Sequence, residues 1–477
     1  MDPRTSSNTR SHGMPWLRDD RYSFLLAGMM WVLIVLMIVP DGFDYQSLTT
    51  TGAPSSGGVI SRMLWLGLLV LSVIVICWRA GLAWLLAHIV NPFLILFVAL
   101  AVASIAWSID PSLSVRRLVR MGTIVLACAA FVLMGWHARR YQTVVRPILT
   151  IVLLGSIVFG LVAPSLAIHQ ETSAELVGAW RGLANHKNGL GALSCITLIF
   201  WFHAWLTREV RLLPALAGGA IAATCLVLSR SSTSLAATLF VMVFLVMLLR
   251  SAHGLRPYVP YLVAMLVATL LIYALAILNL IPGHGTLMAP ITALTGKDMW
   301  SSGRAEIWAV LSDHIRYHPF LGTGYGAYWT AGPVVGTDSY AFMWRMSSFY
   351  PGTAHNGYLD IVNDLGFAGL VFLIAYVIAY VWQSLQLLGI DRHQGALYLA
   401  LFIQQAITNL SETHWFSVRS VDFVILTLAT MALARGLLEH RLRLVFGEPP
   451  GSVRAPVSGM PLPLAQTSFA RNQGGGN

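Results

Sequence analysis

The sequence predicts an all-α, polytopic membrane protein, and three of its features support this fold class. Of the 477 residues, 56% are apolar and only 10% are charged, whereas soluble domains carry about 25% charged residues. The mean hydropathy is +0.69. Apolar runs of about 20 residues, the length that crosses a bilayer as a helix, recur along the chain. This composition excludes an ordinary soluble enzyme, a disordered chain and a secreted disulfide-linked domain.

About 12 apolar runs are predicted to be transmembrane helices. They lie at 24–39, 61–78, 91–107, 118–136, 146–163, 189–206, 212–229, 233–249, 258–281, 359–383, 395–411 and 420–437. The first is interpreted as an uncleaved helix, because no small-residue cleavage pattern accompanies it. The apolar stretch 82–90 is short and is interrupted by Asn91-Pro92. It is therefore interpreted as a re-entrant or interfacial segment.

The runs divide the chain into five predicted parts. Residues 1–21 form a cytoplasmic arm, 22–281 contain the first nine helices, 282–357 form a large periplasmic loop with short helices, 358–440 contain three helices, and 441–477 form a disordered cytoplasmic tail. The orientation rests on the Arg-rich termini, because Lys and Arg are enriched on the cytoplasmic side of membrane proteins. This bias vanishes when the two termini are left out. A loop of the length of 282–357 is usually functional.

The net charge of +10 does not indicate a nucleic-acid partner. Basic residues in such a chain fix its topology or contact lipid phosphate, so membrane lipid is an expected partner. The four cysteines lie inside apolar runs and are expected to be small packing residues, not ligands of a metal or partners in disulfides. Neither a metal nor a cofactor is expected.

A first polar cluster lies in an outer loop that leads into a helix. It contains Arg181, His186, Lys187 and Asn188. The N–H groups at a helix N-terminus bind phosphate, and Arg donates two parallel hydrogen bonds to phosphate oxygens. The cluster therefore suggests an anion site. The alternative is a belt of basic residues at the membrane interface.

A second cluster, Ser301-Ser302-Gly303-Arg304, opens a predicted amphipathic helix that ends at about Tyr317. Ser301 or Ser302 can cap this helix. Arg304 then lies in the first turn, where a positive charge is unfavourable for the helix dipole. Either an anionic ligand or a salt bridge to a nearby Asp or Glu would account for this position, and the sequence alone leaves both open.

A third stretch, 318–326, begins with His318-Pro319 and contains three glycines. It lacks the flanking strand and the Gly-Lys-Ser of a nucleotide-binding loop, so it is interpreted as a tight structural turn. His314 and His318 have a spacing that occurs in metal sites. A third ligand is not evident, so a metal is not predicted.

A fourth stretch, 353–360, lies where the long loop re-enters the membrane. His355 directly precedes a predicted helix start. An imidazole with an ordinary pKa of about 6.5 is a suitable proton acceptor at neutral pH, and the alternative is a structural, hydrogen-bonded histidine. Asp360 and Asp364 would share one face of the following helix.

Taken together, these stretches resemble the O-antigen ligase and polymerase superfamily and occur in that family's order. The matching motifs are Arg-Gly-x-x-Asn-His-x-Asn at 181–188, Gly-Arg-x-x-x-Trp at 303–308, His-Pro-x-x-Gly-x-Gly at 318–324 and Ala-His-Asn-Gly-Tyr-Leu-Asp at 354–360. Two smaller signals are 107–111 and 229–231. The resemblance covers roughly residues 20–440. The form of the long loop is most similar to the exopolysaccharide polymerases of the group.

The resemblance implies a metal-independent, inverting glycosyltransferase of the bacterial inner membrane, with its active site facing the periplasm. It implies a donor glycan on undecaprenyl pyrophosphate, a glycan or lipid A core as acceptor, and chain-length and export proteins as further partners. By motif, Arg181 and Arg304 would hold the pyrophosphate and His355 would activate the acceptor hydroxyl. Supporting roles would fall to His186, Lys187, Asn188, Arg230 and Asn356.

Polymerase and ligase differ in their acceptor, and the motifs do not separate them. The long-loop form favours a polymerase of exopolysaccharide or O-antigen over a ligase that transfers glycan to the lipid A core in lipopolysaccharide biosynthesis. The alternative from another functional class is a transporter of lipid-linked sugar.

Overall fold

The computed structural model describes residues 20–40, 45, 58–170, 176–278, 280, 304–329 and 352–446. The predicted arm up to residue 19, the tail from 447, the Ser301 or Ser302 cap and much of the predicted 282–357 loop lie outside the described residues. Residues Met1–Leu438 form one compact unit, and the described part of the second, Glu439–Asn477, is helical as far as Phe446. The five predicted domain boundaries stay predictions.

The described residues are almost entirely helical or in short connections, with a single isolated antiparallel bridge between Ile168 and Trp180. The first helices are α1 (Ser23–Ile38), α2 (Val59–Trp78), α3 (Ala80–Ala87), α4 (Pro92–Ala103), α5 (Pro111–Leu133), α6 (Arg140–Val162) and α7 (Pro164–Ala167). The later helices are α8 (Lys187–Leu206), α9 (Leu212–Leu228), α10 (Ser232–Arg250), α11 (Val259–Ile277), α12 (Arg304–Tyr317), α13 (Gly357–Ile390), α14 (Arg392–Thr408) and α15 (Val421–Phe446). Short 3₁₀ helices occupy Ser104–Trp107 and His253–Tyr258.

A helix occupies each of the predicted apolar runs. Among the described residues, 7 helices are long and apolar enough to cross a membrane, or up to 8 if a bent pair counts as one span. The chain is therefore a polytopic, helical membrane protein. Because α1 and α9 are apolar but shorter, the figure of about 12 spans stays a prediction.

The bent pair confirms the break predicted at Asn91-Pro92. The chain turns by 98° between α3 and the segment that begins with α4. The Asn91 side chain caps α4 by accepting a hydrogen bond from the N–H of Phe93, and Pro92 occupies the first helical position, where the missing N–H removes no helical bond.

Helix α13 is interrupted at Gly366, whose φ of 63° and ψ of −164° are not helical. The third sequence stretch packs against this break. The N–H of Ala368 donates to the carbonyl of Phe320 at 3.1 Å, and a Cβ on Gly366 would lie 2.3 Å from the Phe320 carbonyl carbon. Gly322 has a φ of 65° and an equally close approach to the backbone of Asp364. The predicted tight structural turn is confirmed, and it stabilises the start of α13.

Hydrogen bonds between loops define two ends of the helical bundle. At the upper end, the N–H of Ile109 donates to Thr323, and Ser411 contacts Thr233 at 3.2 Å. The described loop segments of the upper end are 104–110, 163–170, 176–188, 229–233, 318–329, 352–357 and 409–420. The loops of the lower end are 134–139, 207–211, 251–258 and 391–394, joined by bonds such as that from Arg392 to Leu248. Helix α8, of 20 residues, runs from one end to the other over about 30 Å.

Candidate functional site

Three polar side chains from distant parts of the chain converge on the carboxylate of Glu412 at the upper end. Arg304 Nη2 lies 3.1 Å from Glu412 Oε1, and Asn188 Nδ2 donates to the same oxygen at 2.6 Å. His355 Nδ1 lies 3.2 Å from the other oxygen, Oε2. These four residues are called the Glu412 cluster below. The cluster brings together three of the residues predicted from the sequence.

The position of Glu412 is set by the loop that follows α14. The Oδ1 atom of Asn409 accepts hydrogen bonds from the N–H groups of His414 and Trp415, which folds the loop into a tight turn. The N–H of Gly357 donates to the Asn409 carbonyl, and a Cβ on Gly357 would lie 1.9 Å from Asn409 Oδ1. The glycine therefore lets this turn lie directly against the start of α13, which puts Glu412 beside the residues that precede that helix.

His355 lies immediately before the cap of α13. The Oδ1 atom of Asn356 accepts the N–H groups of Tyr358 and Leu359, so this predicted supporting residue has a clear role as the helix N-cap. His355 itself has a φ of 49°, a left-handed conformation uncommon outside glycine. Backbone strain of this kind concentrates at functional sites.

The Glu412 carboxylate also selects the form of the His355 imidazole that can accept a proton. A hydrogen bond from Nδ1–H to Oε2 of Glu412 leaves Nε2 with its lone pair. The His355 side chain is 23% exposed, so a ligand can reach it. A carboxylate that orients a histidine in this way is the usual arrangement of a general base.

Asp360, in the first turn of α13, connects the segment that carries His355 to the loop that carries Glu412. It is buried, and its Oδ1 accepts a hydrogen bond from Trp329 Nε1 at 2.8 Å. The N–H of Ala354 and the hydroxyl of Thr413 also donate to the carboxylate. Because Ala354 precedes His355 and Thr413 follows Glu412, Asp360 holds the two partners at a fixed separation.

The structure uses His186 as a helix cap. Its Nδ1 accepts a hydrogen bond from the N–H of Asn188 at the start of α8. Burial lowers the pKa of His186 to about 3, with Glu412 opposing that shift, so the ring is neutral at physiological pH. The ring also lies edge to face with His169 at 5.0 Å, and the N–H of Lys187 donates to His169 Nε2. These contacts give the segment a local structural role.

Arg181 is almost completely buried, with 2% of its surface exposed. Its Nε donates to the carbonyl of Leu166 at 2.8 Å, and its backbone N–H donates to Ala167. Arg181 thus joins the loop after α6 to the segment that carries Asn188. The predicted meeting of the Arg181 and Arg304 guanidinium groups stays a prediction.

Arg230 supports the same loop from the start of α10. It has a φ of 51°, and its Nη1 donates to the carbonyl of Val177 at 2.8 Å. The guanidinium lies over Gly178, where a Cβ would be 3.6 Å from Nη1. Arg230 therefore contacts the chain shortly before Arg181.

The charges of the cluster keep Glu412 ionised. Burial alone raises the pKa of this carboxyl, but the charge and hydrogen bond of His355 and the charge of Arg304 hold it well below its ordinary value. The site thus places an ionised carboxylate between a guanidinium cation and an imidazole.

Sequence reasoning missed Glu412, although two signals could have identified it. The chain has only 20 acidic residues, and Glu412 lies in the short connection between the last two predicted helices. Alternating helix directions put that connection on the same side as the loops that carry Arg304 and His355. An acidic residue there was a candidate partner for the salt bridge considered for Arg304.

A cleft lies next to the Glu412 cluster, and Thr353 and Thr413 are part of its lining. It is small, with a cavity volume of about 50 Å³. Its lining includes Arg117, Trp329, Asp364, Trp415 and Arg419. Aromatic, carboxylate and guanidinium groups thus meet in one shallow cleft beside the cluster.

The fold and the site together define a multi-pass helical membrane protein with a cluster of charged and polar side chains at one end of its helices. The family described as O-antigen ligase matches residues 217–374, which include Arg230, Arg304 and His355. The chain is 30% identical over 318 residues to the exopolysaccharide production protein ExoQ of Rhizobium meliloti (strain 1021), covering 64% of this chain and 67% of that protein. This chain belongs to the O-antigen ligase-like superfamily, which includes exopolysaccharide relatives. The resemblance predicted from the motifs is confirmed.

Proposed function

We propose that the protein is a glycosyltransferase of the bacterial inner membrane that polymerises polysaccharide repeat units carried on undecaprenyl pyrophosphate. Family membership supports a ligase or polymerase type of function, and the ExoQ relative favours exopolysaccharide as the product. The observation that carries the proposal is the convergence of Asn188, Arg304 and His355 on Glu412. It unites an anion-binding group and a proton acceptor in one site.

The donor pyrophosphate is held by Arg304 and Arg181. The planar guanidinium group matches phosphate oxygens with two parallel hydrogen bonds. Asn188, in the first turn of α8, adds a side-chain donor close to the positive end of the helix dipole. These groups stabilise the negative charge that develops on the pyrophosphate as it leaves the sugar.

His355 acts as the general base. Its Nε2 takes the proton from the acceptor hydroxyl while the oxygen forms a bond to the anomeric carbon of the donor sugar. The bond between that carbon and the pyrophosphate oxygen breaks on the opposite face, and the electron pair leaves with the lipid pyrophosphate. The anomeric configuration is inverted. Glu412 stabilises the imidazolium that results, and the step needs no metal.

The acceptor glycan binds in the cleft beside the cluster. Thr353 and Thr413 line the cleft and are close in sequence to His355 and Glu412. A sugar at the cleft therefore lies beside the two segments that carry His355 and Glu412. Arg419 lies at the exposed rim, where its guanidinium can donate to sugar hydroxyl groups.

The upper end is proposed to face the periplasm. Hydrogen bonds sort the loops into the same two sets that the predicted alternation of helices requires. The lower end carries basic residues such as Arg139, Arg208 and Arg392, as expected of a cytoplasmic face. In a background without native cysteines, Ser417→Cys should react with an impermeant thiol reagent from the periplasm, whereas Ser251→Cys should not. The reverse pattern would overturn the orientation.

Reconstitution tests the reaction itself. Purified protein is supplied with repeat units on undecaprenyl pyrophosphate and no lipid A acceptor, and the product is separated by length. A ladder of lengthened chains supports a polymerase. Product that forms only after lipid A core is added identifies a ligase, and movement of donor across vesicles without a new glycosidic bond identifies a transporter. Chain-length and export proteins are proposed partners that this assay leaves out.

A further inference from the structure

Glu412 contacts both the residue proposed to bind the donor and the residue proposed to take the proton, because its two carboxylate oxygens accept hydrogen bonds from different partners. Oε1 accepts from Arg304 at 3.1 Å and from Asn188 at 2.6 Å. Oε2 accepts from His355 at 3.2 Å. The residue proposed to bind pyrophosphate and the residue proposed to take the proton therefore share one carboxylate.

The backbone that carries Glu412 is positioned by its own loop. Asn409 folds the turn through the N–H groups of His414 and Trp415, and Thr413 donates to the buried Asp360. These bonds involve neither Arg304 nor His355. The backbone of Glu412 therefore keeps its place when one partner of its carboxylate moves to another ligand.

A pyrophosphate bound by Arg304 competes with Glu412 for the same guanidinium. Arg favours the two-pronged geometry of phosphate oxygens, whereas Arg304 meets Glu412 through a single nitrogen. Once the positive charge of Arg304 is turned to phosphate, the carboxylate acts more strongly on His355. A carboxylate without a competing cation stabilises the imidazolium that forms when His355 takes a proton.

We propose that Glu412 couples donor binding to activation of His355: pyrophosphate withdraws Arg304 from Glu412, and the released carboxylate orients His355 and stabilises it as it takes the acceptor proton. This inference rests on the proposed function. It makes Glu412 a positioning residue and makes donor binding precede activation of the acceptor.

If Glu412 couples the two steps, removing its charge should change the affinity for pyrophosphate and the turnover in opposite directions. In Glu412→Gln, Arg304 loses its competing anion, so undecaprenyl pyrophosphate should bind about fivefold more tightly, the size expected of a partly exposed ion pair. Turnover should fall about 10²-fold, because His355 loses the charge that supports it as a base. Binding is measured with undecaprenyl pyrophosphate and turnover with glycan-loaded donor.

The matched control is Glu306→Gln, which removes one exposed carboxylate from the first turn of the same helix as Arg304. It should leave turnover unchanged and alter binding less than Glu412→Gln does. Glu412→Asp keeps the charge, so it should bind pyrophosphate as the wild type does and recover part of the turnover. If Glu412→Gln weakens binding, or leaves turnover unchanged, the coupling is wrong.

A pH profile separates this role from simple structural support. The charged or titratable groups that act on Glu412 are His355, Arg304 and His186. In Glu412→Gln, the pH profile of turnover should differ from that of the wild type, because a charged group in contact with the proposed base is lost. A profile identical to that of the wild type would contradict the inference. If Arg304→Ala and His355→Ala also keep normal turnover, the proposed function itself fails, which is a distinct outcome.

Discussion

Each end of the helical bundle contains an ion pair between an arginine and a glutamate, and the two pairs differ in how much of their side chains is exposed to solvent. At the lower end, Arg146 lies 2.8 Å from Glu209, with side chains 10% and 8% exposed. At the upper end, Arg304 lies 3.1 Å from Glu412, with side chains 25% and 16% exposed. Distance alone hardly separates the two pairs.

The partners around each pair separate them. The second oxygen of Glu209 faces the amide of Gln142 at 3.5 Å, and the Arg146 guanidinium lies over the ring of Trp201 at 5.0 Å. That pair fixes α6 to the loop after α8. Glu412 shares its charge with a histidine whose other ring nitrogen is available to a ligand. The lower pair thus has contacts that account for a structural role, whereas the upper pair shares its carboxylate with the residue proposed as the base.

The largest expected effect comes from removing His355, the histidine that shares the Glu412 carboxylate with Arg304. His355→Ala should lower turnover about 10²–10⁴-fold, the usual contribution of a general base, because no imidazole remains to take the acceptor proton. Glu209→Gln at the lower end should preserve turnover per folded molecule. Turnover is followed as chain lengthening, and donor binding and thermal unfolding show that the His355 variant is intact. Wild-type turnover in His355→Ala would end the assignment of this base.

Exchanging arginine for lysine sharpens the comparison of the two cations. Arg304→Lys should lose about 10²-fold in turnover, as when one donor to a developing oxyanion is removed, because a compact ammonium cannot form the two parallel bonds. Arg146→Lys should lower the unfolding temperature and leave turnover nearly unchanged. The prediction fails if the two variants lose turnover equally. Arg181→Lys should behave as Arg304→Lys does if both hold the pyrophosphate.

The helices of this fold were predictable because hydrophobic runs of membrane length are a local property of the sequence. The amphipathic pattern also located the end of α12 at Tyr317. The break of α13 was not predicted, because Gly366 lies inside the run 359–383 that was predicted as one helix. Its cause is the packing of Phe320 against the helix, a contact that the run does not encode.

The sequence predicted several residues of the candidate site, but it did not predict how these residues contact one another. Motifs identified Arg304 and His355, and the sequence left a salt bridge for Arg304 open. The structure forms that salt bridge with Glu412, a residue 108 positions away that no local pattern joins to it. The same holds for the helix cap formed by His186, because no local pattern predicts the bond at its Nδ1.

A smaller effect tests whether His186 is structural. Because burial lowers the pKa of His186 to about 3, the unfolded chain takes up a proton there at higher pH than the folded protein does. Stability is therefore complete above the ordinary histidine pKa of about 6.5 and falls as the pH drops toward 3. His186→Asn keeps a capping side chain without titrating, so its unfolding temperature should fall less between pH 7 and pH 4.5 than that of the wild type.

The control for this test is His253→Asn, which changes an exposed histidine near the lower end and should leave the pH dependence as in the wild type. Turnover of His186→Asn should remain close to that of the wild type. A large loss of turnover with unchanged unfolding would instead transfer the role of base to His186.

The smallest expected effect concerns the rim of the cleft, where Arg419 is exposed at the upper end. Arg419→Ala should raise the KM for the acceptor glycan about threefold and leave kcat unchanged, because a solvent-exposed charge contributes at most about 1 kcal/mol and does not touch the reacting atoms. Arg211→Ala, which removes an exposed arginine from the lower end, should change neither constant. Since exposed charges are screened by salt, the difference between Arg419→Ala and the wild type should shrink as ionic strength rises. An equal effect of the two substitutions would show that the cleft does not bind the acceptor, while the pairing of Arg304 and His355 through Glu412 would still account for the chemistry.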